Sequence, residues 1–589
     1  MQIHVILRER QRPKNPPKSR TSLETLGDSS LRSFLTPLRM TSRCFAFSLF
    51  ALFRFTFAAN ANPSLREFTS TRSVTSMLAV KDGTLWVGTR GGILKRDAAG
   101  TWTKQNTQNG LPSNEVRAIS ESEDGTIKVL FPSAAAVWMD GKWQVRKSTF
   151  TAPRQYQFPQ TQWQGKTVQA GWNGLQIGNQ HIKMPSSNGS YISALLPQGN
   201  VLLAAIYGDG IWSFDGSNWQ KVYSASAKAT FPERSRRDGN GTSAPLSDRL
   251  ALPAKARQIT ALARDSVTKV LFAGTRREGV WMFDGNHWQQ HLQDNEPYNN
   301  DIQSLISFRG NLFAGTLEDG LMEYQMPFPE RSRRDEKGAS ASLSDRCKWR
   351  HFDSTLLSSN APRQMAVFRD HLYVRFGNGK VDCFDGTHWQ RDVFPHLPRG
   401  KVYSLAADDK KLYIGQWGGW SEWDGKSFQH FLKIPELQGV PLMVLHPLGN
   451  SLWIGTQSLG LIMYNHPSAK IRLIDARQGL PDDWITAIAG DDDHLWVGTF
   501  VGGLARKTPD GWKSTFSGEN VTALKLDGRS SVYVATRHGV WHKSEADIWR
   551  NYQQSFPALS PEAQALLRTP GGLWIGTRTG LYLLSHAED

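Results

Sequence analysis

Residues able to bind a ligand recur at one place in this sequence, directly after the threonine of a repeated segment. The segment reads DGTLWVGTRGG from Asp82 to Gly92, SLWIGTQSLG from Ser451 to Gly460, HLWVGTFVGG from His494 to Gly503 and GLWIGTRTG from Gly572 to Gly580. Its apolar residues, glycine and threonine repeat, while the residues that follow vary from copy to copy. Across all copies the variable corner supplies Arg90, Trp172, Tyr207, Asp209, Arg276, Arg277, Glu278, Glu318, Asp319, Trp417, Trp420, Gln457, Phe500, Arg537, His538 and Arg578. Aromatic rings for stacking, with Arg, Glu and Gln for hydrogen bonding, are what a sugar or an anionic oligomer requires. Taken singly, each residue also fits an ordinary solvated loop; gathered on one face, they describe a binding surface.

Signs of catalysis are few. The sequence holds no HExxH, GxSxG or GxxxxGK[ST] motif. His351, His371, His388 and His396 lack metal-ligand spacing, and Asp491 to His494 (DDDH) falls where other copies have a polar turn. Glu318 and Asp319 have the chemistry of a general acid–base pair. However, Glu278 and Gly279 occupy the same corner one copy earlier, which points to loop chemistry. No catalytic residue, metal or cofactor is expected.

The elements that must carry these corners follow from alternation. In the first copy, strands are expected at 74–80, 85–89, 92–96 and 101–107, with tight turns between them. Many later units place Asp-Gly before an aromatic between the third and fourth strands, as at Trp143, Trp219, Trp288, Trp389 and Phe428; Asp-Gly suits the positive φ of a tight hairpin. Second strands start near Leu85, Ile127, Thr167, Val201, Val270, Leu312, Leu372, Leu412, Leu452, Leu495, Val532 and Leu573. A period of about forty residues with aromatic and glycine landmarks is that of a propeller blade. The expected fold is therefore all-β, a β-propeller array of twelve four-stranded blades. Leu85 and Val87 should face one side of their blade and Trp86 the other, with Gly88 allowing a close approach.

The pattern resembles the two-component regulator propeller repeats found in the periplasmic sensing regions of bacterial hybrid histidine kinases. The marks are NGLPSNEVRAI (Asn109 to Ile119) and QGLPDDWITAIAGDDDHLWVGT (Gln478 to Thr499). The resemblance implies a periplasmic or secreted, ligand-binding sensor, with glycan a candidate ligand. Family members often continue into a transmembrane helix and a kinase, whereas this sequence reads LYLLSHAED to its end. A separate membrane signalling protein is the implied partner. A polysaccharide hydrolase or lyase and a protein-docking platform are the competing readings.

Closure favours two propellers of six blades, with SLREFT (64–69) completing unit six and KWRHF (348–352) completing unit twelve. Rings of seven and five, or one ring of twelve, remain open. The expected domains are 62–327 and 348–589.

Residues 40–61 have the basic start, apolar run and small-x-small end of a signal peptide, and 1–39 read as a polar extension ahead of a start at Met40. The segments 231–250 and 328–347 agree at 15 of 20 positions and carry too few apolar residues to pack. The net charge of +16 does not indicate nucleic-acid binding, because residues 1–61 alone hold ten Lys/Arg against three Asp/Glu. Cys44, Cys347 and Cys383 are too few for a disulfide scaffold.

Overall fold

Alternation along LWVGT sends its side chains into two different seams. In the computed structural model Leu85 and Val87 pack with Ala261, Phe272 and Val280, whereas Trp86 packs with Val116, Ile119 and Val129 on the other side. Each face is buried, so a five-residue strand stabilises two interfaces at once. Burying each aliphatic side chain contributes about 1.5–3 kcal/mol.

The structure describes residues 63–147, 158–185, 190–226, 252–325, 348–491, 493–528 and 530–585. The expected extension, signal peptide and both inserts lie outside these residues. The described chain forms twelve antiparallel meanders, blades 1 to 12 in the chain order of their second strands, eleven of four strands and blade 4 with a short fifth strand at Leu252–Pro253. Second strands begin within a residue of the positions expected from the sequence, for example Leu85–Thr89, Lys166–Ala170 and Gly572–Thr577.

The repeat glycine is required by the neighbouring blade. A Cβ on Gly88 of blade 1 would lie 2.5 Å from Val116 Cγ1 of blade 2. Likewise Gly455 of blade 9 would meet Ile485 of blade 10 at 2.7 Å, and Gly498 of blade 10 would meet Val521 of blade 11 at 2.5 Å. The aromatic after Asp-Gly packs backwards: Trp143 Nε1 donates to Gln105 Oε1 of the preceding blade at 2.7 Å, and Trp219 Nε1 donates to the Lys183 carbonyl at 3.1 Å.

The same contacts correct the expected partition. Gly274 of blade 5 meets Val74 of blade 1 at 2.4 Å, and Gly576 of blade 12 meets Ile302 of blade 6 at 2.6 Å. Blades 1–5 therefore form an N-terminal propeller whose last blade rests on its first. Blades 6–12 close as a ring of seven. Ser64–Phe68 pairs with Leu581–Ser585 in blade 12, and Trp349–Phe352 stays in its own blade 6 against Leu321–Tyr324. The reason is packing. Phe68 lies among Tyr324, Trp349 and Trp574 at centroid distances of 5.5, 6.4 and 5.3 Å, a pocket built by blades 6 and 12 together. The second propeller thus starts at Ile302 rather than 348, and it borrows its closing strand from residues 64–68.

Two segments cross between the propellers, 69–73 and 292–301, and they are stapled to each other. Ser70 N–H donates to Asn300 Oδ1 (2.6 Å), and Asn300 Nδ2 donates back to the Ser70 carbonyl (2.8 Å). Glu296, nearly buried, accepts from Thr71 N–H and Oγ1 (2.8 Å each) and from Lys104 Nζ (2.6 Å). Arg72 lies over the Tyr298 ring at 4.1 Å.

Candidate functional site

Where a blade carries the repeat threonine, that residue fixes the corner with the variable residues. Thr275 Oγ1 donates to the Gly279 carbonyl (2.9 Å) and accepts from Glu278 N–H (2.9 Å). Thr89, Thr316, Thr456 and Thr577 make the same pair of bonds. A hydroxyl that both donates and accepts across a short turn sets its direction, so the next side chains project from one end of each of these blades.

These ends meet where the two propellers face each other. One pocket, of about 60 Å³, is lined by Arg90, Arg276, Arg277, Glu318, Asp319 and Arg578 with Tyr298 to Asp301. It adjoins a cavity of about 1180 Å³ that shares Arg90, Asp301 and Arg578 and adds Glu115, Arg117, Arg537, His538, Glu562 and Tyr582. Eight of the corner residues singled out in the sequence therefore line one inter-propeller cleft, contributed by blades 1, 5, 6, 11 and 12.

Most charges in the cleft are neutralised locally. Arg277 Nε reaches Asp319 at 2.6 Å, and Arg276 and Arg277 reach Glu318 at 3.2 and 3.4 Å. Arg578 pairs with Glu562 (3.2 Å), Arg117 with Glu115 (2.9 Å) and His538 with Glu519 (2.9 Å). Two guanidinium groups are left over: Arg90 and Arg537 use their backbone N–H groups on the carbonyls of Ser73 and Asn520, and neither side chain is hydrogen-bonded or ion-paired among the described residues. Between the propellers Asp301 is half-buried. Burial raises its carboxyl above the usual range, against the pull of Arg578, Arg90 and Arg363.

A strip of aromatic rings on the N-terminal propeller leads into this cleft. Phe158 packs edge-on to Trp172 (5.1 Å), Trp172 to Tyr191 (5.7 Å), and Tyr191 stacks flat on Tyr207 (5.1 Å, 13°). Tyr207 Oη then accepts from Arg276 Nη1 at 3.5 Å. Trp172 is 64% exposed.

Other expected residues lie elsewhere. Trp417, 46% exposed, packs against Tyr403 in blade 8. Phe500 stacks on Trp484 at 4.1 Å, and Gln457 is exposed on blade 9. Glu278 turns back to accept from Gln290 Nε2, and Asp209 accepts from Trp212 Nε1 at 2.9 Å. Trp420 is corrected outright. It is the second residue of the strand Gly419–Trp423, fully buried and stacked on Phe431 at 4.6 Å, so it belongs to the core between blades 8 and 9.

Sequence reasoning missed Glu115, Arg117, Asp301 and Glu562. All four lie just before or near the start of an innermost strand, and that position was their available signal. The NGLP motif builds one such approach: Asn106 caps a 3-10 turn at Thr107–Asn109, Gly110 takes φ 94°, and Leu111 is buried. In blade 10 Asp475, Gly479 and Leu480 repeat the arrangement.

No family profile and no curated protein sequence matches the chain. Solved structures do. PorZ, a surface component of the type-IX secretion system of Porphyromonas gingivalis, aligns with a TM-score of 0.57 at 14% identity, over 88% of this chain and 87% of its own. An extracellular domain assigned to the hybrid two-component system BT4673 of B. thetaiotaomicron aligns at 17% identity over 88% and 70% of the two chains, with a TM-score of 0.40. The fold is a β-propeller array. No helix among the described residues is long and apolar enough to cross a membrane.

Proposed function

We propose that the protein is a periplasmic or secreted sensor-type propeller that binds an acidic glycan, or a comparable anionic oligomer, in the inter-propeller cleft. The observation that carries this reading is the pair Arg90 and Arg537. They are two unpaired guanidinium groups from different propellers, lining a cavity of about 1180 Å³, which is ample for an oligosaccharide. Carboxylate or sulfate groups suit the planar fork of arginine. The Trp172–Tyr191–Tyr207 strip supports a sugar ligand, since flat aromatic faces stack on the apolar faces of pyranose rings.

The arrangement also suggests how binding would be felt. A ligand held by Arg90 on one side and by Arg537 and Arg578 on the other bridges the propellers. It competes with the ion pairs that join Arg276 and Arg277 to Glu318 and Asp319, and so biases how tightly the two bodies are held. A separate membrane signalling protein would read that change. Engagement of Glu318 and Asp319 by arginines leaves that pair unsuited to general acid–base work.

Thermal unfolding of the full chain against neutral oligosaccharides, acidic oligosaccharides and polyanions tests the proposal, with product formation followed in parallel. Acidic oligosaccharides should raise the transition most, without turnover. A rise with neutral sugars alone, or release of shorter sugars, would overturn it.

A further inference from the structure

Blade 7 breaks the repeat. Where blades 1, 9, 10 and 12 have Trp-x-Gly-Thr, it reads Tyr373-Val374-Arg375-Phe376, followed by Gly377. The residue replaced is the glycine whose missing Cβ admits the next blade; a Cβ on Gly415 in blade 8 would lie 2.1 Å from Ser404 Oγ and 2.9 Å from the Leu442 carbonyl. Arg375 lies on the same strand face as Tyr373, which packs with Leu405, Leu412 and Ile414 of blade 8. From the other side blade 8 presents Gln416 in place of the threonine, fully buried and on the same face as Leu412 and Ile414.

A guanidinium and an amide thus enter one seam, and each keeps one nitrogen without a partner, although Gln416 Oε1 accepts from Ser421 Oγ at 2.8 Å. Arg375 Nε and Gln416 Nε2 are buried without hydrogen-bond partners. Arg375 makes one bond, from Nη1 to the Phe376 carbonyl at 3.5 Å. A second guanidinium reaches the same corner, because Arg363 Nε lies 3.7 Å from the Cβ position of Gly377. Neither arginine is ion-paired among the described residues. Burial, with Arg363 beside it, brings the Arg375 guanidinium down to about 10. The Arg375 guanidinium, its Nε buried without a partner, is unfavourable there unless an anion joins it.

We propose that the seam between blades 7 and 8 is a binding site for a small oxyanion, a phosphate or carboxylate group. Arg363 and Arg375 clasp it in fork geometry, and the Gln416 amide donates a further hydrogen bond. The site uses neither Arg90 nor Arg537; Arg375 and Gln416 lie outside the cleft lining, while Arg363 also acts on Asp301 of the cleft.

The test is thermal unfolding of the full chain in inorganic phosphate and in acetate, each compared with chloride at equal ionic strength. At saturation one of them should raise the transition by about 2–4 °C beyond chloride. Phosphate identifies a phosphate ester as the natural group, acetate a carboxylate. Arg375→Gly, which restores the repeat glycine, and Arg363→Gln should each abolish the increment, and R375G should unfold no lower than wild type in chloride. If R375G does not fold, R363Q decides alone. The proposal is overturned if neither anion exceeds chloride, or if the increment survives the substitutions.

Discussion

Ser64 and Ser585, 521 residues apart, lie opposite each other in the outermost ladder of blade 12, with their hydroxyl oxygens 2.6 Å apart. The C-terminal propeller is therefore closed by a strand that precedes the whole N-terminal one. At the other end of that ladder Phe68 fills the junction of blades 6 and 12. Phe68→Ala should destabilise the C-terminal propeller by about 3–5 kcal/mol. Denaturant unfolding followed by tryptophan fluorescence would register this as an earlier transition of that propeller.

Ring closure also depends on a missing methyl group. Gly576 has an ordinary backbone conformation, so only space requires glycine there, and a Cβ would lie 2.6 Å from Ile302 Cγ2. Gly576→Ala should lower stability by about 1–3 kcal/mol, visible in the same unfolding experiment.

His291 makes the N-terminal propeller sensitive to acid. Its ring stacks on Trp102 at 4.0 Å, and burial lowers its pKa from 6.5 to about 4. As pH falls, the unfolded chain takes the proton first. Stability is fully present above pH 6.5 and is lost between 6.5 and about 4. Because the ring is only partly buried, the loss should be about 1–2 kcal/mol. His291→Gln should flatten this part of the profile of unfolding free energy against pH.

Asp301 should make ligand binding pH-dependent in the cleft. Its carboxyl titrates above the usual range because of burial, and protonation removes a negative charge from between Arg90 and Arg578. An anionic ligand should therefore bind more tightly as pH falls through that raised value. Titration calorimetry of Asp301→Asn should give the low-pH affinity at neutral pH.

The blades were legible because each is a local pattern. Leu85, Trp86, Val87 and Gly88 announce strand, seams and close approach within four residues. Closure was not legible. SLREF and KWRHF are both short amphipathic strands, and only the aromatic pocket around Phe68 decides which edge each completes. Trp420 misled because it stands three residues after Trp417, across the Gly418-Gly419 corner; Trp417 lies on the turn and is exposed, whereas Trp420 already belongs to the next strand, Gly419–Trp423, and is in the core. The cleft was half legible. The sequence placed corners on one end of each blade, but that the ends of two propellers meet depends on the crossing segments 69–73 and 292–301, whose contacts with each other are all long-range.

The most direct measurement is calorimetric titration of the acidic oligosaccharide that most stabilises the protein into wild type, Arg90→Ala, Arg537→Ala and the double variant. Each charge-assisted contact contributes about 1.5–3 kcal/mol. Each single variant should therefore weaken binding by about tenfold or more, and the double variant should abolish it while retaining the wild-type unfolding transition without ligand. Unchanged affinity in the double variant would contradict the cleft as the binding site.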